Sequence, residues 1–202
     1  MLLAAEKAAN RFAQDEWEFA QMCRYVTGSA RILEIGSRYG ESLRGLASAA
    51  CLCPNLTYEG KSTANRIRLV GVDLGVDPFS PDGEDIAGPL TQTITDLCAQ
   101  GYDARLVLGD SHDPKVVEIV RELGPYDFVF IDGDHSYDGV YQDYRNYGPM
   151  AKVVAFHDIV YGKPGHDGAK VLWQQIKQNQ CRAEYVRSGL GIGVLFREEK
   201  MR

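Results

Sequence analysis

Five short apolar runs, each about the length of one β-strand, alternate with helix-like stretches along most of this chain. They are Arg31–Ile35, Arg68–Asp73, Ala104–Leu108, Tyr126–Ile131 and Val153–Phe156. Between and after them, Ser42–Ala50, Leu90–Gln100, Pro114–Leu123 and Gly168–Gln178 carry helical spacing. Continuous apolar strands separated by helices predict a mainly parallel sheet covered on both faces. Two further runs, Ala183–Arg187 and Ile192–Arg197, flank a short glycine-containing turn and predict a closing antiparallel hairpin. The expected class is α/β, doubly wound, as one domain over residues 1–202. Residues 1–28 form a helical segment in this reading, ending at Thr27-Gly28-Ser29.

Charge and composition exclude several partners. A net charge of −6, with Arg66 and Arg68 as the longest basic cluster, argues against a nucleic-acid backbone. No apolar run approaches the roughly 20 residues of a membrane span. The opening Met1–Lys7 lacks the charged and apolar regions of a signal peptide, and the five cysteines follow no repeating pattern. The expectation is a cytoplasmic protein with reduced thiols. Cys51 and Cys53 stand close together, but no second Cys/His pair completes a zinc site.

The first strand runs directly into Gly36-Ser37-Arg38-Tyr39-Gly40-Glu41-Ser42. A dinucleotide fingerprint fails here, because Arg38 and Glu41 stand where glycines are needed, and no Gly-Lys-Ser/Thr triplet makes a phosphate loop. What remains is a turn with one glycine at the strand exit and another at the helix entry. Gly36 lets backbone approach a ligand, and Gly40 takes dihedrals closed to other residues. The free N–H groups opening the next helix suit a carboxylate, while Glu34 offers negative charge to a cation. Both groups occur on the amino-acid end of S-adenosylmethionine.

These residues resemble the first motif of the class I S-adenosylmethionine-dependent methyltransferases. Within that family the chain is similar to small-molecule O-methyltransferases sharing an Asp-Gly-Asp-His segment, here Asp132-Gly133-Asp134-His135, which include antibiotic and sugar tailoring enzymes. The resemblance covers roughly Ile32 to Phe196. It implies a Rossmann-like seven-stranded mixed sheet of order 3-2-1-4-5-7-6 with the last strand antiparallel. It also implies a cofactor set of Glu34, Gly36, Ser37, Gly40, Ser42, Asp73, Asp110, Ser111 and Asp132. Asp73 would accept the ribose hydroxyls, and Gly109-Asp110-Ser111 would line the adenine. Asp73 lies farther along the chain than the usual acid, and Asp77 is a weaker second candidate.

Asp132, Asp134, His135, His157 and Asp158 all fall at or just beyond strand ends on the ligand side. The resemblance to metal-dependent members implies a divalent ion, magnesium or manganese, on Asp132 and Asp158 with His157 as third ligand. A calcium loop starting at Asp132 fails, since Tyr137 replaces its glycine. His135 is the first candidate base and His157 the second, for a hydroxyl that must lose its proton. His112 and Asp113 read as a helix cap, and Tyr137, Tyr141, Tyr144 and Tyr147 as the packed face of a helix. Residues 74–89, rich in proline and acids, leave a strand end as an acidic loop, a lid or a solvated insertion. The function expected is methyl transfer to an oxygen of a small metabolite, with N-methylation and a non-catalytic cofactor-binding protein as the other readings. The N-terminal helix either completes the pocket or makes a homo-oligomer contact.

Overall fold

The computed structural model describes residues 14–51, 66–77, 83–178 and 180–197. In chain order the elements are α1 (Glu16–Cys23), β1 (Arg31–Ile35), α2 (Glu41–Cys51), β2 (Arg68–Asp73), α3 (Ala87–Ala99), β3 (Asp103–Leu108) and α4 (Pro114–Leu123). They continue with β4 (Tyr126–Ile131), α5 (Tyr137–Tyr147), β5 (Ala151–Phe156), α6 (Gly168–Ile176), β6 (Cys181–Tyr185) and β7 (Ile192–Phe196). The sheet order is β3-β2-β1-β4-β5-β7-β6, with β7 antiparallel to both of its neighbours. This is the Rossmann-like mixed sheet expected.

Side-chain alternation along the strands splits the core in two. Leu33, Ile35, Val129, Ile131, Val154 and Phe156 belong to one apolar cluster with side chains of α4, α5 and α6. Ile32, Leu69, Phe128, Phe130 and Ala155 belong to the other, with α1, α2 and α3. Because both faces of the central strands are covered, β2, β4, β5 and β7 are largely apolar, whereas the edge strands β3 and β6 keep exposed polar residues.

Element ends follow local chemistry. Asp15 caps α1 by accepting hydrogen bonds from the N–H groups of Trp17 and Glu18. Asp113 does the same for α4, accepting from Lys115, so its reading as a cap holds. Helix α3 begins at Ala87, before Pro89, rather than at Leu90. Proline is tolerated there because first-turn N–H groups lack helical partners anyway. Strand β6 lies two residues earlier than expected, at a partly exposed edge where the apolar pattern is weak.

Helix α1 is fastened to the closing hairpin through a charge. Glu18 is fully buried, and its carboxylate accepts hydrogen bonds from the N–H groups of Arg187, Ser188 (2.8 Å) and Gly191 (3.1 Å). The Ser188 hydroxyl donates to it as well. The turn held this way also accepts the N–H groups of Ile159 and Val160, just beyond β5. Glu18→Ala strands these donors and should cost about 2–4 kcal/mol, read by urea unfolding. A loss within about 0.5 kcal/mol would mean that the strands alone hold the turn.

Candidate active site

The carboxyl ends of β1 to β5 open onto one cleft of about 580 Å³, within the usual range for small-molecule sites. It forms where the strand order reverses, between β1 and β4. Each ladder runs one residue past its strand. The Gly36 N–H donates to Val72, Gly109 to Asp73, Asp132 to Ile35 and His157 to Ile131. The functional residues are thus carried on backbone that the sheet itself fixes.

On the β1–β3 side, Gly36, Ser37, Ser42, Asp73, Asp110 and Ser111 line the cleft, as expected of a cofactor half. The Asp73 carboxylate accepts the N–H of Arg38 at 2.7 Å and that of Gly75 at 2.8 Å. Burial raises its pKa, and these two donors oppose the rise. Asp77 pairs with the Arg38 guanidinium at 2.7 Å instead. The loop after β2 is closed at its base by a Val76–Asp85 bridge, with the Asp77 N–H donating to Glu84. Residues 78–82, in its middle, lie outside the described residues.

Two expected cofactor residues stand elsewhere. Glu34 occupies the face of β1 covered by α2, fully buried and outside the cleft lining. Burial pushes its carboxyl up to about 8, with the nearby Ser42 and Ser37 hydroxyls opposing only in part. Neither of its oxygens completes a hydrogen bond of regular geometry. Buried beneath α2, it does not line the cleft where it was expected to offer its charge. Gly40 also lies outside the lining; at φ +84, an added Cβ would meet Thr93 of α3 at 2.6 Å, so its role is helix packing.

On the β4–β5 side, Asp132, Asp134, His135, His157 and Asp158 meet. His135 Nδ1 lies 2.9 Å from Asp158 Oδ2. His157 Nδ1 lies 3.1 Å from Asp132 Oδ1 and 3.3 Å from Asp158 Oδ1. Burial alone would lower the His157 pKa, but Asp132 and Asp158 outweigh it and lift the imidazole to about 9. Burial would likewise raise Asp132, yet His157 holds it below the usual carboxylate range. The bond to Asp158 raises His135 against its own desolvation.

The metal reading is not shown by this arrangement: among the described residues no group of three or more ligands is placed to hold a metal ion. His157 Nδ1 stands between the two carboxylates instead, hydrogen-bonding Asp132 at 3.1 Å and lying 3.3 Å from Asp158.

Several lining residues escaped the sequence reading. Gln14, just before α1, donates Nε2 to Asp132 Oδ2 at 2.5 Å. A single polar residue on an N-terminal segment gives no signal of this. Leu190 enters from the β6–β7 turn. His112 is more than a surface residue beside a cap: it lines the cleft, and its Nε2 lies 3.2 Å from fully buried Asp143, which also accepts the Ser111 hydroxyl at 2.7 Å. None of the four tyrosines of α5 lines the cleft. Tyr147 is buried and donates to the Ser111 carbonyl, while Tyr137 and Tyr141 stack on each other.

The bond to Asp143 lifts His112 to about 8, above its ordinary 6.5, against partial burial. A raised value in the folded state means that the pair stabilises fully below about pH 6.5 and loses its effect as pH rises through about 8. The stability gap between wild type and His112→Gln should therefore be widest near pH 6 and close near pH 9 in urea unfolding at about these values. A gap independent of pH would contradict the pairing.

The family model described as a methyltransferase domain matches residues 33–159. No curated protein matches this sequence. Among solved structures, the Bacillus cereus O-methyltransferase in complex with SAH is similar, with a TM-score of 0.61 and 20% identity over 96% of this chain and 88% of that one. CalS11, a TDP-rhamnose 3'-O-methyltransferase of calicheamicin biosynthesis, gives 0.63 and 18% over 89% and 77%. TomG from Streptomyces achromogenes, an O-methyltransferase of tomaymycin synthesis solved with SAM, gives 0.57 and 16% over 92% and 81%. Identities this low speak for the fold alone. The family match spans more than half of the chain, which therefore belongs to the methyltransferase-domain family, on the class I fold of S-adenosylmethionine-dependent enzymes.

Proposed function

We propose that the protein transfers the methyl group of S-adenosylmethionine to an oxygen of a small metabolite, a sugar or another natural product. The observation that carries this reading is a single cleft with Asp73 at one end and the His135–Asp158 pair at the other. The residues of the first half suit the cofactor. The Asp73 carboxylate is held by two backbone N–H groups and keeps lone pairs for ribose hydroxyls. Gly36 to Ser42 lead into the start of α2, where unpartnered N–H groups favour a carboxylate. Asp110 and Ser111 line the wall beside the β3 end, where an adenine would lie.

When bound, S-adenosylmethionine supplies a methyl group already activated by its sulfonium. The protein must then orient the acceptor and remove a proton from its hydroxyl. Asp158 holds His135 through Nδ1 at 2.9 Å, which orients the ring for the role of base. His157, inserted between Asp132 and Asp158, keeps both carboxylates in place. A base paired with a carboxylate suits an oxygen acceptor, whose hydroxyl proton must leave as the new C–O bond forms.

Calorimetric titration with S-adenosylhomocysteine tests the cofactor half, and two variants separate the halves. Asp73→Asn should weaken binding about 10- to 100-fold, the worth of hydrogen bonds to a charged group. His135→Ala should leave that affinity unchanged, while slowing methyl transfer by about 10²–10⁴-fold once an acceptor is in hand. No binding by the wild-type protein would defeat the reading. Normal turnover in His135→Ala would remove the base.

A further inference from the structure

We propose that the acceptor is a polyhydroxylated molecule without negative charge, uncharged or amine-bearing, of the glycoside or amino-sugar kind. This rests on the methyl-transfer reading above and deepens it. The first observation is compositional. Among the described residues that line the cleft there is no Phe, Tyr or Trp. A flat aromatic acceptor gains much of its binding from ring stacking and broad apolar contact. The tyrosines of α5, the nearest supply of rings in sequence, are committed to one another and to the core.

The second observation is charge. Seven carboxylates line the cleft against one arginine, Arg38, and no lysine. Arg38 is already paired with Asp77. The three lining imidazoles each face a carboxylate, His112 toward Asp143, His135 toward Asp158, and His157 toward both Asp132 and Asp158. Even with all three protonated, the described lining stays net negative. Phosphates and carboxylates are held by unspent Arg or Lys, or by helix N-termini. The start of α2 lies on the cofactor side and is taken by the methionine carboxylate in the reading above.

The third observation concerns the β4–β5 half itself. Apart from Leu190, the side chains entering from this half and from the segment before α1 are hydrogen-bonding ones: Gln14, Asp132, Asp134, His135, His157 and Asp158. Each hydroxyl of a polyol both donates and accepts, which suits a wall that mixes carboxylates with imidazoles. Carboxylates add attraction for an ammonium and repulsion for an anion. The acceptor then differs from the TDP-sugar named for CalS11, whose diphosphate finds no unspent cation among these residues. The reaction that supplies such an acceptor would be one that removes a sugar from its nucleotide, as in glycosyl transfer.

The test uses the wild-type protein saturated with S-adenosylhomocysteine. It is titrated with methyl glucosaminide, methyl glucoside and methyl glucuronide, which share a ring and differ in charge, and with catechol. The glucosaminide should bind at least about tenfold tighter than the glucuronide, with the glucoside between them and catechol weakest. Glucuronide or catechol binding as tightly as the glucosaminide overturns the proposal, as does no glucosaminide binding at about 50 mM. Failure to bind S-adenosylhomocysteine would instead strike the methyl-transfer reading first, and the acceptor class would fall with it. A reversed order on a protein that binds S-adenosylhomocysteine defeats the acceptor class alone.

Discussion

Gly36 sits at φ +83 with its Cα against the backbone of Asp132, where an added Cβ would lie 2.2 Å from the carbonyl oxygen. That contact lets β1 and β4 end side by side, at the point where the strand order turns from one direction to the other. It sets the first turn and the Asp132–His135 segment within one cleft. An L side chain is opposed here twice, by the dihedral and by the collision.

The cleft that results concentrates negative charge, and the fold manages it by pairing. Asp73 is held by backbone N–H groups, Asp77 by Arg38, Asp143 by Ser111 and His112, and Asp132 and Asp158 by imidazoles. Leaving one such carboxylate unpaired in a buried setting would be costly, so each acid comes with a specified neighbour. Asp158 adopts φ +60, a left-handed conformation uncommon outside glycine and best tolerated by Asp and Asn. It sits there while facing both His135 and His157. The same pairing that gives these acids their partners also positions the candidate base.

Much of the fold was legible because the central strands bury both faces, so that a run such as Tyr126–Ile131 reads as a continuous apolar stretch of strand length. The boundaries of α4 followed from Asp113 and Pro114, whose capping chemistry is local. Legibility failed where the deciding partner is distant in sequence. Glu34 looked like a ligand because it precedes the glycine turn, but strand alternation sends its side chain beneath α2. Gly40 looked like part of a ligand cradle, but Thr93 of α3 occupies the space beside it. Gln14 and Asp132 are 118 residues apart, and nothing local to Gln14 announces the contact. The residue types at Asp132, His157 and Asp158 suited a metal; only the structure shows His157 Nδ1 turned in between the two carboxylates.

A crystal structure with S-adenosylhomocysteine decides whether one cleft holds the cofactor along the ends of β1 to β3 and the acceptor at the ends of β4 and β5. The ribose hydroxyls should lie on Asp73, the adenine beside Asp110 and Ser111, and the homocysteine carboxylate at the start of α2. The sulfur should then point toward His135. A ligand reversed in the cleft, bound across Asp132 and Asp158, or seated elsewhere on the protein would contradict this arrangement.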